Sequence, residues 1–333
     1  MDFWPGPDSF DRAFGPFDPS ISPSRYPSEY FRTVLPIPCH SHNDYWRRRP
    51  LWSALCTGCI SVEADVWLLD GDLYIGHSGS SLEANKTLSK MYIEPLVDIL
   101  EDRNRPTALA AVFPSETRSR LHGVFFRDPE QTLTLLIDFK TDGEALFPIV
   151  MEALEPLRSR GWLSYWDGQS RVDRPVTVVG TGNTPFDMVV ANTTYRDIFF
   201  DAPLEALASL DDEITEDDMT DVDIRITTRA IHNYKYNASN SHYASSSMTK
   251  AIGPLWQYEF SEPQIYLLRN QIQQAKERGL VSRYWGMPAW PRGLRNSVWG
   301  VLVKEDVGIL NVDDLRAARR GLWGSWPQPT TDD

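Results

Sequence analysis

Short apolar runs alternate with longer segments of helically spaced apolar residues from residue 34 onward. The short runs predict eight strands, near 34–38, 60–66, 132–139, 176–180, 197–202, 230–234, 280–285 and 307–311. The spaced positions predict helices over 93–101, 144–158, 263–278 and 294–304. This alternation predicts an α/β fold built as a single (β/α)8 TIM barrel rather than a doubly wound sheet.

The regions outside this alternation have a different composition. Residues 1–34 are rich in Pro, Ser and aromatic residues and show no helical or strand period, which predicts an irregular N-terminal arm. We expect the barrel over 35–320 and a C-terminal tail over 321–333. Residues 211–223 contain eight acidic residues in thirteen positions, and we interpret them as a solvated, mobile loop because their charges lack a fixed spacing.

Polar residues of catalytic type stand in and after the first two predicted strands. His42 and Asn43 follow the first strand. Glu63 and Asp65 are two positions apart in the second, so both carboxylates point to one face of the sheet. Two buried carboxylates repel each other unless a cation or a shared proton offsets their charge, and hard divalent ions are the usual solution. We interpret the pair as part of a metal site.

Two further segments add to this cluster. The run Asp70-Gly71-Asp72 predicts a tight turn that returns the chain to deliver His77. The third strand ends with Asp138 and Lys140 on one face. A single histidine is most often a hydrogen-bonded surface or core residue, so the inference depends on the combination of two imidazoles, three carboxylates and a cation.

In this order, the residues resemble the phospholipase C-like phosphodiesterase superfamily. Its glycerophosphodiester phosphodiesterases combine a strand-end His, an E-x-D pair, a second His after a short hairpin and an acid-x-Lys strand. The run 41–45 also resembles the segment that holds the first catalytic His and a metal-binding Asn in phosphoinositide-specific phospholipase C. Spider-venom phospholipase D shares the layout, with Asp as its third ligand. The runs 39–50, 283–288 and 310–315 are similar to the fungal family named for altered inheritance of mitochondria protein 6.

The resemblance implies a metal-dependent phosphoric diester hydrolase. Its substrate would be a small-molecule or lipid phosphodiester, similar to a glycerophosphodiester or a phospholipid, with a place in lipid metabolism. One Mg²⁺ or Ca²⁺ would be held by Glu63, Asp65 and Asp138, with Asn43 as a neutral ligand. An Arg commonly follows the first His in these phosphodiesterases, and the chain departs from that pattern because Asn43 stands there.

The two histidines supply the acid–base chemistry in this interpretation. His42 and His77 would deprotonate the attacking group on one side and protonate the leaving alkoxide on the other, with the assignment of acid and base open. His40 shares a strand face with His42 and is an alternative for its role, although the Ser-His-Asn resemblance favours His42. Lys140 would bind the substrate by supplying a second positive charge for the phosphate.

Other strand-end residues are weaker candidates. Four residues fall near predicted C-terminal strand ends, where barrel active sites lie: Asn183, Asp201, Trp285 and Asp313. We assign Asn183 and Trp285 to substrate binding. Trp285 suits an apolar or choline-like part of a substrate, with core packing as the alternative. The run Arg47-Arg48-Arg49 either forms the solvated start of a helix or attracts an anionic head group or phosphate.

Composition limits the partners and the compartment. The net charge of −13 argues against a nucleic-acid partner, because phosphate backbones are held by clustered Lys and Arg. The three cysteines, Cys39, Cys56 and Cys59, are too few for a disulfide framework, and the Cys56-x-x-Cys59 pair is expected to serve in packing rather than as a zinc or redox motif. We see neither an apolar leader nor a stretch near the ~20 apolar residues of a membrane span, so we expect a cytoplasmic protein.

Two other classes of function stay open. One is an enzyme of the same fold with redirected chemistry, such as a lyase that releases a cyclic phosphate or a tailoring enzyme of specialised metabolism with a non-phosphodiester product. The other is a catalytically inactive binding protein on the same scaffold. The presence of every acid, base and ligand type argues against the inactive protein, and product analysis separates the redirected enzyme from a hydrolase.

Overall fold

The computed structural model describes residues 32–105, 121–207, 235–255 and 259–320. Several segments singled out from the sequence lie outside the described residues: nearly all of the expected N-terminal arm, the acidic run 211–223, the predicted strand near 230–234 and the expected tail over 321–333. Contacts divide the described chain into two units, one of residues 32–198 with 312–320 and one of residues 199–311.

Within the described ranges, the strands are β1 (Ile37–Ser41), β2 (Cys59–Leu69), β3 (Asp72–Ile75), β4 (Leu133–Phe139), β5 (Tyr165–Trp166), β6 (Arg171–Val172), β7 (Val176–Gly182), β8 (Ile198–Pro203), β9 (Ser241–Ser247), β10 (Val281–Trp285) and β11 (Ile309–Val312). The main sheet has the order β1-β11-β10-β9-β8-β7-β4-β2-β3, and β1 also pairs with β2. The eight strands other than β3 therefore close a parallel sheet, and the predicted (β/α)8 TIM-barrel fold is confirmed.

Helices alternate with these strands along the chain. They cover Trp52–Thr57, Glu94–Arg103, Gly143–Ala153, Glu155–Arg158, Phe186–Val190, Met248–Ile252, Glu262–Glu277, Arg292–Lys304 and Leu315–Arg319. A π-helical turn covers Ser89–Ile93, and 3-10 turns cover Asp44–Trp46, Gly79–Ser81 and Leu204–Ala206. The predicted helix over 144–158 is split in two because Pro156, at the start of the second helix, has no amide hydrogen for the preceding turn. None of the helices in the described ranges has the length and apolar character needed to cross a bilayer.

Two strands differ from the sequence-based prediction. The first strand, predicted at 34–38, is β1 at Ile37–Ser41, and the sheet takes β9 at Ser241–Ser247 from a segment in which no strand was predicted. Both strands contain polar residues that are buried, such as Ser41 and Ser245. Hydrophobic patterning fails at such strands because their inward side chains are polar.

Alternate side chains of β2 separate two environments. One set is completely buried in an apolar layer with residues of β4: Val62, Ala64, Val66, Leu135 and Ile137. Glu63 and Asp65 alternate with the β2 members of this set and therefore point to the opposite face. A one-residue slip of β2 would turn its apolar set to the face of the carboxylates and the carboxylates into the apolar layer, so the same burial that stabilises the strand also fixes the side on which the carboxylates lie.

A disulfide joins Cys39 in β1 to Cys59 in β2, with their Cα atoms 4.7 Å apart. The expected packing role is therefore wrong for Cys59, and a disulfide forms although the three cysteines were judged too few for a disulfide framework. The two strands are adjacent and parallel, a pairing that brings the cysteines together and that the spacing of cysteines along the chain does not reveal. The bond ties the strand that leads to His42 to the strand that carries Glu63 and Asp65.

Candidate active site

Three carboxylates converge where β2 and β4 lie side by side. The strands are parallel with Asp65 opposite Asp138, and Glu63 lies one strand repeat before Asp65. One oxygen from each of the three carboxylates lies within 4.8 Å of the others. The structure thus brings together the three acidic residues that the sequence nominated as metal ligands.

The surroundings of Asp65 disfavour a negative charge. Burial raises the pKa of the Asp65 carboxyl to about 6, and the charge of Glu63 adds to this effect. The Oδ1 atom of Asp65 is buried and accepts no hydrogen bond from any residue that the structure describes. A buried oxygen in this state costs free energy, and a divalent cation would both ligate it and offset the repulsion. The donor set therefore fits a hard ion such as Mg²⁺ or Ca²⁺.

Lys140 directs its ammonium at two of these carboxylates. Its Nζ lies 2.5 Å from Asp138 Oδ2 and 3.0 Å from Asp65 Oδ2. Partial burial alone would lower the pKa of Lys140, but the two carboxylates raise it above its ordinary value. The side chain therefore stays positively charged and offsets part of the repulsion among the carboxylates.

Gly182 leaves the space that Asp138 occupies. Its φ of +64° lies in the left-handed region, and a Cβ atom added there would be 2.0 Å from Asp138 Oδ1. The neighbouring strands β4 and β7 create this contact by pairing in parallel register. Glycine is therefore required here both by the backbone conformation and by the position of the Asp138 carboxylate.

His42 lies just beyond β1 and is held from two sides. Its backbone N–H donates to the Val312 carbonyl at 3.1 Å, and its ring Nδ1 lies 2.7 Å from Asp313 Oδ1. Its Nε2 lies 3.8 Å from Glu63 Oε2, and 26% of the side chain is exposed. The Asp313 carboxylate at Nδ1 favours the tautomer of His42 that carries its hydrogen on Nδ1. The Nε2 atom, which lies on the side of Glu63, is then without a hydrogen and can accept a proton.

Asp313 and Arg47 support this histidine. Burial alone would raise the pKa of Asp313, but the hydrogen bond with His42 and the charge of Arg47 lower it below its ordinary value. Arg47 Nη1 donates to the Asp313 carbonyl at 2.5 Å, and Nη2 donates to the carbonyls of His42 and Val312 at 3.3 Å and 3.2 Å. The first arginine of the basic run thus fastens the His42 segment to the segment after β11.

His40 lies in a different environment from His42. Its ring is fully buried, with 0% of the side chain exposed, and Nδ1 is hydrogen-bonded to Ser61 Oγ at 2.7 Å. Its Nε2 lies 3.6 Å from Glu63 Oε2. A fully buried ring gives no access to a substrate, so the geometry favours His42 over His40 for proton transfer.

Asn43 turns the chain out of β1. Its backbone is left-handed at φ 46°, a conformation that Asn tolerates better than most residues. This directs its backbone N–H to Glu63 Oε2 at 2.8 Å, while its side-chain Oδ1 accepts from the Tyr45 hydroxyl at 2.7 Å. Burial raises the pKa of Tyr45, and so does the charge of Asp65, so that the hydroxyl stays protonated. The role of Asn43 as a neutral metal ligand stays a prediction.

The hairpin of β2 and β3 brings His77 to the carboxylates. Asp70 and Gly71 both have positive φ, as a two-residue hairpin turn requires, and Leu69 pairs with Asp72 across it. His77 Nδ1 lies 3.6 Å from Asp65 Oδ2, and 56% of the side chain is exposed. The ring of Trp46, itself 52% exposed, lies 5.0 Å from the His77 ring. The structure therefore brings a second accessible imidazole to the carboxylates.

A comparison with known families identifies the chain. The sequence profile of the AIM6-like phosphodiesterase domain matches residues 28–201, just over half of the chain. This chain belongs to the AIM6 family. The matched segment includes the three carboxylates and the three histidines that lie near them, His40, His42 and His77.

Relatives in the AIM6 family are similar to most of the chain. The altered inheritance of mitochondria protein 6 homolog of Arthroderma benhamiae is 39% identical over 305 residues, which cover 89% of this chain and 87% of that protein. Altered inheritance of mitochondria protein 6 of Eremothecium gossypii is 36% identical over 287 residues, 84% of this chain and 68% of that protein. The Saccharomyces cerevisiae protein is 32% identical over 301 residues, 85% of this chain and 70% of that protein. No solved structure matches the chain significantly.

Two residues assigned to substrate binding have other surroundings. Asn183, inside the matched AIM6-like segment, is exposed and its side-chain amide donates to the Thr141 carbonyl at 3.2 Å, which supports the loop after β4. Trp285 lies outside that segment, at the end of β10 in the unit of residues 199–311, and is 43% exposed. Their roles in binding a substrate stay predictions.

The sequence pattern did not assign a role to three residues of this site, Tyr45, Asp313 and Gly182. Tyr45 belongs to the same run as His42, and Asp313 was one of four strand-end candidates, so both carried a weak signal. Gly182 carried none, because its contact with Asp138 arises only when β4 and β7 pair.

Proposed function

We propose that this chain is a metal-dependent phosphodiesterase that uses His42 and His77 in acid–base catalysis on a small phosphodiester. The observation that carries the proposal is the trio of Glu63, Asp65 and Asp138 beside two partly exposed imidazoles. Membership of the AIM6-like phosphodiesterase family supports the reaction class. The proposed substrate is a glycerophosphodiester or the head group of a phospholipid, which gives the enzyme a place in lipid metabolism as a hydrolase.

The metal part of the proposal concerns one Mg²⁺ or Ca²⁺ held by Glu63, Asp65 and Asp138, with Asn43 as a neutral oxygen donor. When bound, such an ion supplies positive charge that offsets the negative charge growing on a phosphoryl oxygen. The raised pKa of Asp65 and its Oδ1, which accepts no hydrogen bond from described residues, support this use of the carboxylates.

The proton transfers belong to the two imidazoles. His42 and His77 act on the attacking and the leaving oxygen, and each transfer contributes roughly two to four orders of magnitude to the rate. Asp313 holds His42 so that Nε2 is available, which is the arrangement that either an acid or a base needs. Lys140 supplies a further positive charge near the transferred phosphoryl group.

The surroundings favour a small substrate over a polyanion. The net charge of −13 disfavours a nucleic-acid partner. The exposed face of Trp46 beside His77 offers an apolar wall for the group that leaves or attacks there. A phosphodiester with an apolar or alkylammonium group fits this wall.

The deciding experiment is product analysis by phosphorus NMR on a panel of glycerophosphodiesters and phospholipids, with Mg²⁺, with Ca²⁺ and after chelation. We expect a phosphomonoester product that disappears on chelation and returns with Mg²⁺. A cyclic phosphodiester would instead identify a lyase. Full turnover by exhaustively chelated protein would overturn the metal requirement.

Two aspartates provide a matched pair of variants for the same assay. Asp138→Asn removes one charge from the carboxylate trio, so we expect the metal concentration for half-maximal activity to rise at least about tenfold, which is the lower end of the effect of mutating a group that only supports a ligand. Asp142→Asn makes the same change at a helix N-cap, where Asn caps as well as Asp, and should leave the metal titration unchanged. Equal titrations for both variants would exclude Asp138 as a ligand.

The compartment is also part of this proposal. The cytoplasmic location expected from the sequence stays a prediction, and the Cys39–Cys59 disulfide argues against it, because cytosolic thiols are kept reduced. Alkylation of free thiols in intact cells, followed by mass spectrometry of the two cysteines, decides between a reduced and an oxidised protein.

A further inference from the structure

The Tyr45 hydroxyl contacts both His77 and the carboxylate of Asp65. Tyr45 lies in the 3-10 turn Asp44–Trp46 directly after Asn43, and its side chain is buried. Its hydroxyl oxygen lies 2.7 Å from Asn43 Oδ1, 2.8 Å from Asp65 Oδ2 and 3.3 Å from His77 Nδ1. One hydroxyl therefore meets a carboxylate, an amide and an imidazole, and how its single proton is shared decides the hydrogen bonding of all three.

The proton count assigns the bonds. The Asp65 carboxylate can only accept, and a charged acceptor makes the stronger bond, so the Tyr45 hydroxyl donates toward Asp65 and its amide neighbour. Its proton is then not available to His77, and its lone pair faces Nδ1. A hydrogen bond at that contact requires His77 to carry its ring hydrogen on Nδ1.

We propose that Tyr45 is a positioning residue that fixes His77 as the Nδ1–H tautomer and so leaves Nε2 for proton transfer with the substrate. This inference deepens the proposed function and rests on it. The two histidines are then held in the same way through Nδ1, His42 by Asp313 directly and His77 by Asp65 through the Tyr45 hydroxyl. The contact with the Trp46 ring restricts the remaining freedom of the exposed His77 side chain.

The first test does not depend on activity. Long-range ¹⁵N–¹H NMR distinguishes the two nitrogens of a histidine ring, and the His77→Gln variant identifies the His77 signals. In the wild-type protein we expect neutral His77 to be the Nδ1–H tautomer. In Tyr45→Phe, which deletes only the hydroxyl, we expect both tautomers. A wild-type ring with its hydrogen on Nε2, or the same spectrum in Tyr45→Phe, would overturn the proposal.

The second test uses turnover of the best phosphodiester. Because the hydroxyl acts through His77, Tyr45→Phe should lower kcat about tenfold or more while KM changes less than about threefold. Added to a His77→Ala background, it should cost little more, because residues that act as a unit are non-additive. Losses that multiply in the double variant would assign Tyr45 a separate, structural role.

Tyr92→Phe is the matched control. The Tyr92 hydroxyl is also buried and lies 3.1 Å from both Asp44 Oδ2 and the Glu63 carbonyl, but no contact joins it to His77 among the described hydrogen bonds. It should lose thermal stability much as Tyr45→Phe does, without the change in the His77 spectrum. A wild-type protein that turns over no phosphodiester would refute the proposed function, while the NMR result would still decide the role of Tyr45.

Discussion

His42 Nδ1 and Asp313 Oδ1 lie 2.7 Å apart, and this contact joins the ring just beyond β1 to the carboxylate just beyond β11. Asp313→Asn keeps the shape of the side chain but removes its charge and with it the preference for the Nδ1–H tautomer of His42. We expect kcat to fall about tenfold to a hundredfold with KM nearly unchanged. Steady-state kinetics on the best phosphodiester measure both constants.

Asp314→Asn is the control for this change. Asp314 is the adjacent residue and its side chain caps the helix Leu315–Arg319, a role that Asn fills equally well. It should leave kcat unchanged. Equal kcat values for Asp313→Asn and Asp314→Asn would remove Asp313 from the mechanism.

The pH profile of the wild-type protein gives separate information. Because the pKa of Asp313 is lowered, this carboxylate keeps its charge in mild acid. A loss of wild-type activity between pH 7 and 5 would therefore come from the titration of other groups.

The two histidines should behave as one catalytic unit. His42→Ala and His77→Ala should each lose at least about a hundredfold in turnover, and the double variant little more than the worse single one. A phosphodiester with a p-nitrophenyl group has a leaving group of low pKa that needs no protonation. On this substrate the variant that lacks the general acid should recover much of its rate, and the variant that lacks the base should not. If His40→Ala alone loses as much turnover as is expected of His42→Ala, the assignment of proton transfer to His42 is wrong.

Gly182→Ala should disturb the carboxylate cluster without replacing any charged residue. The added Cβ overlaps Asp138 Oδ1, so we expect metal affinity, measured by calorimetry, to fall at least about tenfold. Gly161 has a similar φ of +69° with nothing near its Cβ position, so Gly161→Ala has the same backbone strain of about 1–3 kcal/mol in open space. We expect both variants to lose unfolding free energy, Gly182→Ala the more because its Cβ would also lie 2.8 Å from the Phe139 carbonyl oxygen, and metal affinity to fall only in Gly182→Ala.

The stability of metal-free protein should depend on pH through Asp65. The pKa of this carboxyl is about 6 in the folded protein against an ordinary 3.8, so between these values the folded state binds more protons than the unfolded state. The group therefore makes the free energy of unfolding increase as pH falls from about 6 toward 4. Urea unfolding in chelator should show this slope, and Asp65→Asn should reduce it without abolishing it, because burial raises the pKa of Asp44 as well.

Reduction of the disulfide should loosen the same region. Cys39 and Cys59 are separated by 20 positions, and closing a loop of that size stabilises a fold by about 3 kcal/mol. A double variant that combines Cys39→Ala and Cys59→Ala should have a midpoint of thermal unfolding several degrees lower than the wild-type protein. The control Cys56→Ala should leave this midpoint unchanged. If a reducing agent leaves the unfolding of the wild-type protein unchanged, the bond is not formed in solution.

Some of the site follows from local rules of sequence, and those parts were predicted. The period of two in a strand places Glu63 and Asp65 on one face, and the requirement for positive φ at Asp70 and Gly71 predicts the hairpin that carries His77. The apolar residues that alternate with the carboxylates made β2 visible as a strand.

The remainder depends on contacts that no local rule contains. The hydrogen bonds of Tyr45 require the left-handed turn at Asn43, and the place of Gly182 requires the pairing of β4 with β7. The strand β9 is serine-rich and lacks the apolar pattern that marks a strand. Each of these features became evident only from the three-dimensional arrangement.

The opposition of Asp65 and Asp138 across β2 and β4 also has a consequence for how the chain folds. In an unfolded chain these residues are far apart and do not repel each other, so the electrostatic cost arises only when the two strands meet. Such a non-local pairing is slow because its loop must close first. Lys140, whose ammonium contacts both carboxylates, lowers this cost, and a divalent ion held as proposed would lower it further and so favour the step in which β2 and β4 come together.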